Sequence, residues 1–339
     1  MNKRITCSIF AALGMLVLIL DSRTALSGAR DGISLCVSSV VPSLFPFLVL
    51  SGFMTAGLQG ANIPLLQPLA KVMGIPRGTE SIFLTGILGG YPTGAQAVQT
   101  AWKNGQLEKD DANRMLSFCN NAGPAFLFGM LGPQFPKGWM PWLLWGIQIA
   151  AAVITSLLLP ARTTVCSHTR SLRACSLVES LKQAVKTMGY VCGWIILFRI
   201  LIAFLDRWVL WLLPESFKVM IYGILELANG CCSLLKVESI GLRLIIASAI
   251  LSAGGLCVLM QTASVIEGLN IWNYIKGKAL QTFLAVWLTA AAQNLLLPPQ
   301  WKVPFSGAIL LCIACFFVAI FVILKKIQKN SSICAGIGV

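Results

Sequence analysis

The chain has 339 residues, of which 57% are hydrophobic and only 11% charged, with a formal net charge of +14 and a mean hydropathy of +0.80. Soluble domains carry roughly 25% charged residues, so the composition excludes an ordinary soluble fold and indicates a helical membrane protein. The basic excess does not signal nucleic acid, because no basic patch alternates with aromatic residues.

A helix crossing the hydrocarbon core needs about 20 mostly apolar residues. In chain order, windows near 5–21, 34–58, 115–131, 141–159, 188–205, 243–262, 280–297 and 305–324 meet that need. The first could end in a cleaved signal peptide, since small residues follow it at Ala25–Ala29, but its long apolar core favours an uncleaved signal anchor. Two further stretches, near 81–101 and 219–235, are apolar but interrupted, and are expected to dip into the membrane and return. With a cytoplasmic N-terminus, seventeen Lys and Arg, Lys276 and Lys278 among them, fall on the cytoplasmic side and eight on the other. That asymmetry sets the expected orientation, with both termini cytoplasmic in a multi-pass cell-membrane protein.

The stretch "GILGGYPTGAQA" (86–97) explains the first interruption. Irregular backbone is tolerated at membrane depth only where protein or a wet cavity covers it. Gly90, Pro92 and Gly94 break the helix, and Tyr91, Thr93 and Gln96 add polar groups at the expected tip. Free amides at the start of the second half-helix would suit an anionic or polar ligand. An ordinary kinked span is the alternative.

Downstream, Asn120 and Asn121 precede Gly123-Pro124 inside an apolar run, so their amides must face the protein interior, the hairpin tip or a solute. Helix–helix adhesion would also account for them. In the second interrupted stretch Glu226 is a candidate for ion coupling, through a proton or sodium, and Asn229 is a candidate solute contact, as is Ser252 further along, in the second copy's counterpart of the Asn-Gly-Pro stretch. A carboxylate near the outer surface is the plainer reading of Glu226. Arg199 lies inside a span, where it could meet a solute carboxylate, snorkel, or pair with Asp206, which at two turns' distance is expected to be out of direct reach.

Three short matches recur in order: Gly86–Leu88 with Gly223–Leu225, Ala122–Gly123 with Ala253–Gly254, and Leu157–Pro160 with Leu295–Pro298. Their offsets of 137, 131 and 138 residues, with opposite expected orientations, suggest two inverted-topology repeats around a midplane site. The expected fold is therefore all-α, with about eight transmembrane helices and two re-entrant helical hairpins. Residues 1–30 form the anchor, 31–160 the first repeat, 161–187 a basic cytoplasmic linker, 188–300 the second repeat, and 301–339 a last span and tail.

No catalytic constellation is apparent. The single histidine, His168, lies in a basic loop, and Cys312-x-x-Cys315 has no second pair at zinc spacing. The chain is thus expected to be no enzyme and to need no cofactor or metal.

The run "GGYPTGAQAVQTAWKNGQLEKDDANRMLSFCNNAGPAFLFG" resembles the first Gate, or nucleoside-recognition, segment of YlbJ-type sporulation integral membrane proteins. "VPSLFPFLVLSGFM" resembles their upstream span and "ELANG" their second Gate copy. The resemblance implies a transporter related in fold to concentrative nucleoside transporters, with dipicolinate as its solute during spore formation and a forespore membrane as a possible home. Tyr91 would then stack on the solute ring while Asn120, Asn121 and the hairpin amides hold its carboxylates. A non-transporting membrane scaffold, a nucleoside transporter and a homo-oligomeric assembly stay open.

Overall fold

The computed structural model describes residues 3–58, 63–159, 161 and 176–303. All regular structure among them is helical. The expected span 305–324, His168, Cys312 and Cys315 lie outside the described residues. Among the described residues, five helical stretches are long and apolar enough to cross a membrane: Ser22–Leu58, Trp139–Leu158, Leu177–Trp208, Ile240–Val265 and Ile271–Leu296.

Helix α1 spans Lys3–Leu20, and Asp21 caps α2 (Ser22–Leu35) by accepting from the Thr24 amide at 3.3 Å. A π turn over Cys36–Val40 joins α2 to α3 (Val41–Leu58), so the expected break before residue 34 is absent. Helix α2 packs along α10 (Leu177–Trp208). Gly28 and Gly32, one turn apart, lie against it, and a Cβ on Gly28 would come within 2.9 Å of the Ile200 Cα. Small residues at this spacing let two helix backbones approach closely. Ion pairs flank the contact, Asp31 with Arg199 at 2.8 Å and Asp21 with Arg207 at 3.0 Å. Because α10 begins at Leu177, the latter part of the expected linker 161–187 is helix.

The stretch 81–101 forms a helical hairpin. After α4 (Gln67–Val72), α5 (Glu80–Leu88) meets a turn at Gly89–Pro92, and α6 (Thr93–Lys103) returns along it. Gly90 turns the chain at φ +79°, a conformation that side-chain-bearing residues avoid.

The expected span 115–131 is not a single helix. Helix α7 (Lys109–Leu116) stops, residues 117–123 are unwound, and α8 (Pro124–Phe126) resumes with Pro124 in its first turn. The proline explains the restart, since its fixed φ suits a helix start and its missing N–H costs nothing there. A π turn at Leu127–Leu131 leads on toward α9 (Trp139–Leu158).

The second interrupted stretch is also a helical pair, α11 (Glu215–Leu225) and α12 (Leu227–Cys232), broken at the extended residue Glu226. Helices α13 (Ile240–Ala253) and α14 (Gly255–Val265) follow, separated by Gly254 and Gly255 at φ +74° and +73°. The expected span 243–262 is thus two half-helices. Helix α15 (Ile271–Leu296) is continuous and packs on α13 and α9. It begins nine residues before the expected 280, so Lys276 and Lys278 are helical rather than loop residues.

Replacing Gly28 by Val should lower the melting temperature of the detergent-solubilised protein by several degrees, because overpacking of a close contact costs about 1–3 kcal/mol. Gly14, with nothing within 4 Å of its Cβ position, should accept Ala with little change in the same fluorescence melt.

Candidate functional site

Two of the chain breaks meet near Tyr91. Its hydroxyl donates to the Leu251 carbonyl at 3.0 Å, and the Ser252 carbonyl lies at 3.5 Å, just before the α13–α14 break. The same turn touches the unwound stretch 117–123. Gly90 and Gly123 stand backbone to backbone, and a Cβ on either would come within 2.9 Å of the other's nitrogen. A Cβ on Gly86 or Gly94 would land on the Cys119 carbonyl. The glycines of the hairpin are therefore the surface on which the unwound stretch rests.

The two asparagines divide their tasks. Asn120 accepts from the Ala95 amide at 3.3 Å, in the first turn of α6, and donates to the Thr262 hydroxyl at 3.0 Å on α14. Asn121 donates to its own stretch at the Phe118 carbonyl, 2.8 Å away. Its side-chain oxygen then accepts from Lys278 Nζ at 3.0 Å and from Gln281 Nε2 at 2.8 Å, both on α15.

Lys278 is 4% exposed. Besides Asn121 its ammonium donates to Gln281 Oε1 at 2.7 Å and lies 5.1 Å from the centre of the Tyr91 ring, a cation–π distance. Gln281 also donates to the Gln148 carbonyl at 3.3 Å, and Gln148 in turn to the Leu251 carbonyl at 3.4 Å. This network joins the hairpin turn, the unwound stretch, α9, the α13 break and α15. Two polar atoms at its edge, Ser252 Oγ and Gln148 Oε1, are buried with no hydrogen-bond partner among the described residues. Buried polar atoms are rarely left so, and Glu80 Oε2, Gln99 Oε1, Gln134 Oε1, Trp145 Nε1, the Tyr274 hydroxyl and Gln293 Oε1 share that condition elsewhere.

Glu226 sits on the other side of the turn. With Tyr91, Gly123 and Gln261 it lines a cavity of about 30 Å³. Its carboxylate accepts from the Ala228 amide at 2.9 Å and from the Asn229 amide and side chain at 2.6 and 2.7 Å, capping α12. Asn229 is thereby tied to Glu226.

Arg199 is not brought to this site. It pairs with Asp31, and its other terminal nitrogen reaches Asp206 at 3.9 Å, nearer than the axial separation alone suggests. Thr93 and Gln96 face a different space. They help line a cavity of about 290 Å³ between α3, the first hairpin and α10, bordered by eight hydroxyl side chains and three glutamines and by no charged side chain. Gln96 donates there to the Thr187 hydroxyl at 2.8 Å.

Lys278, Gln281 and Gln148 were not among the sequence candidates. The sequence does carry a signal for two of them. Lys278, Gln281, Thr282, Thr289 and Gln293 recur at helical spacing, a polar stripe on an apolar helix that has to face protein. The pair Lys276-Gly277-Lys278 instead read as the end of a loop.

A 139-residue stretch is 28% identical to the sporulation integral membrane protein YlbJ of Bacillus subtilis (strain 168), covering 40% of this chain and 33% of that protein. The chain thus spans about a third of that relative's length. No family model and no solved structure matches the chain.

Glu226→Ala should destabilise the protein by about 1–2 kcal/mol through loss of the α12 cap, and Glu226→Gln by less. Thermal unfolding of the two variants beside the parent checks the order. The apolar spanning helices and the relative together make this chain a helical membrane protein with a distant resemblance to an integral membrane protein of sporulation.

Proposed function

We propose that the chain is a secondary transporter of a small anionic solute, working by alternating access around the point where the broken segments meet. The observation that carries this reading is the Tyr91–Leu251 contact, which joins a helical turn to a helix break and has a buried lysine, Lys278, over the same ring. Broken helices meeting at a polar centre are the usual architecture of solute sites in secondary transporters.

In this reading the two halves are inverted repeats. Each has a helical hairpin (α5–α6 and α11–α12), then an interrupted segment (α7–α8 and α13–α14), then a long helix (α9 and α15). The short matches fall within this order, Gly86–Leu88 in α5 and Gly223–Leu225 in α11. An arginine after each hairpin clamps carbonyl groups, Arg114 those of Met73, Gly74, Ser156 and Leu159, and Arg243 those of Val237 and Gln134. The protein would cross the membrane several times with its basic loops cytoplasmic.

The relative's name supports a role in sporulation, and dipicolinate, a small aromatic dianion, suits an ammonium, an asparagine and a tyrosine ring. The 290 Å³ cavity favours a second reading, a neutral hydrogen-bonding solute such as a nucleoside, because its lining offers hydroxyls and amides without charge.

Uptake of radiolabelled dipicolinate and uridine into proteoliposomes separates these. The first reading expects saturable dipicolinate uptake that Asn121→Ala lowers at least tenfold with the protein still folded. Saturable uridine uptake alone would replace the solute, and uptake of neither by folded protein would favour a membrane scaffold.

A further inference from the structure

Resting on the transport reading above, we propose that Lys278 carries the proton that moves with a carboxylate-bearing solute, which makes the cycle an anion–proton symport. The Lys278 amino group is buried, with two amide oxygens and one aromatic face as its company. No carboxylate among the described residues pairs with it.

The elements around it offer no compensating charge. Helix α9 has no ionisable side chain. The one charged residue of α13, Arg243, is spent on the Val237 and Gln134 carbonyls. On α7, Arg114 is tied to four carbonyls, and Lys109 lies over the Trp102 ring. Asp110 and Asp111, also on α7, have interactions of their own. From the unwound stretch comes the Cys119 thiol, from the hairpin turn the Tyr91 phenol, and from α15 itself Tyr274, groups that are uncharged near neutral pH by their ordinary values.

A buried ion without a counter-ion is strongly disfavoured. The ammonium and a solute carboxylate therefore favour each other, and by linkage the proton and the anion bind together and leave together. No bond other than N–H changes. The amine takes a proton from water on the entry side and returns it to water on the exit side. Ser252 Oγ and Gln148 Oε1, the partnerless atoms beside the network, give the loaded site one further donor and one further acceptor. Glu226, the coupling candidate on sequence grounds, already holds three donors as a helix cap.

The test uses the full chain in proteoliposomes with the membrane potential clamped at zero and radiolabelled dipicolinate as probe. An inward proton gradient should drive accumulation, roughly tenfold per unit of pH at one proton per solute. Lys278→Arg, whose charge is fixed, should retain part of the exchange of labelled for unlabelled solute and lose gradient-driven accumulation. Lys278→Gln should lose both. Parent uptake indifferent to the gradient overturns the symport while leaving the transporter intact. Gradient-driven accumulation by Lys278→Arg equal to the parent's also overturns it. Absence of any carboxylate uptake by the parent overturns both readings. Gel filtration establishes that each variant is folded, and if Lys278→Gln aggregates the Lys278→Arg comparison decides.

Discussion

Backbone polar groups inside a bilayer must find partners within the protein, and the rest of this structure follows from that constraint. The helices break at Gly89–Pro92, over 117–123, at Glu226 and at Gly254–Gly255. Each break leaves amides and carbonyls without helical partners, so each is covered by another part of the chain. Asn120 covers the Ala95 amide, Tyr91 the Leu251 carbonyl and Glu226 two amides of α12. Two arginines are used the same way, as clamps on carbonyl groups rather than as surface charges. A polar centre forms because several breaks share partners, and the sharing is what brings Lys278, Asn121 and Gln281 together.

This arrangement also explains why the glycines are where they are. Gly86 and Gly94 are flat ground for the Cys119 carbonyl, and Gly90 and Gly123 are mutual contacts. A side chain at any of them would push the unwound stretch off the hairpin and uncover Asn120. Packing and polar satisfaction are thus one problem here, solved by the same residues.

Much of this was legible in the sequence. The Gly-Gly-Tyr-Pro run announced a broken segment, because glycine and proline act on the backbone locally and need no tertiary context. Asn120 and Asn121 were legible because amides in an apolar run have to be buried and bonded. The break inside 115–131 was not, since apolar composition marks depth and says nothing of whether the helix persists. Lys278 was hidden for a related reason. A lysine at the edge of an apolar window looks the same whether its helix stops there or continues, and here α15 begins seven residues earlier. Arg199 drew attention by its depth, yet its partner Asp31 lies 168 residues away along the chain, beyond any local pattern.

The helix Ser22–Leu58 has 37 residues and its partner Leu177–Trp208 has 32. At 1.5 Å per residue these are rods of about 55 and 48 Å, against a hydrocarbon core of about 30 Å. Neither can stand upright without protruding, and Gly28 and Gly32 fasten one to the other. Fastened so, they would tilt as a single beam. Lipid thickness then acts on the pair jointly, so a thinner or thicker bilayer would tilt the wall of the hydroxyl-lined chamber as one piece, without separating its two helices.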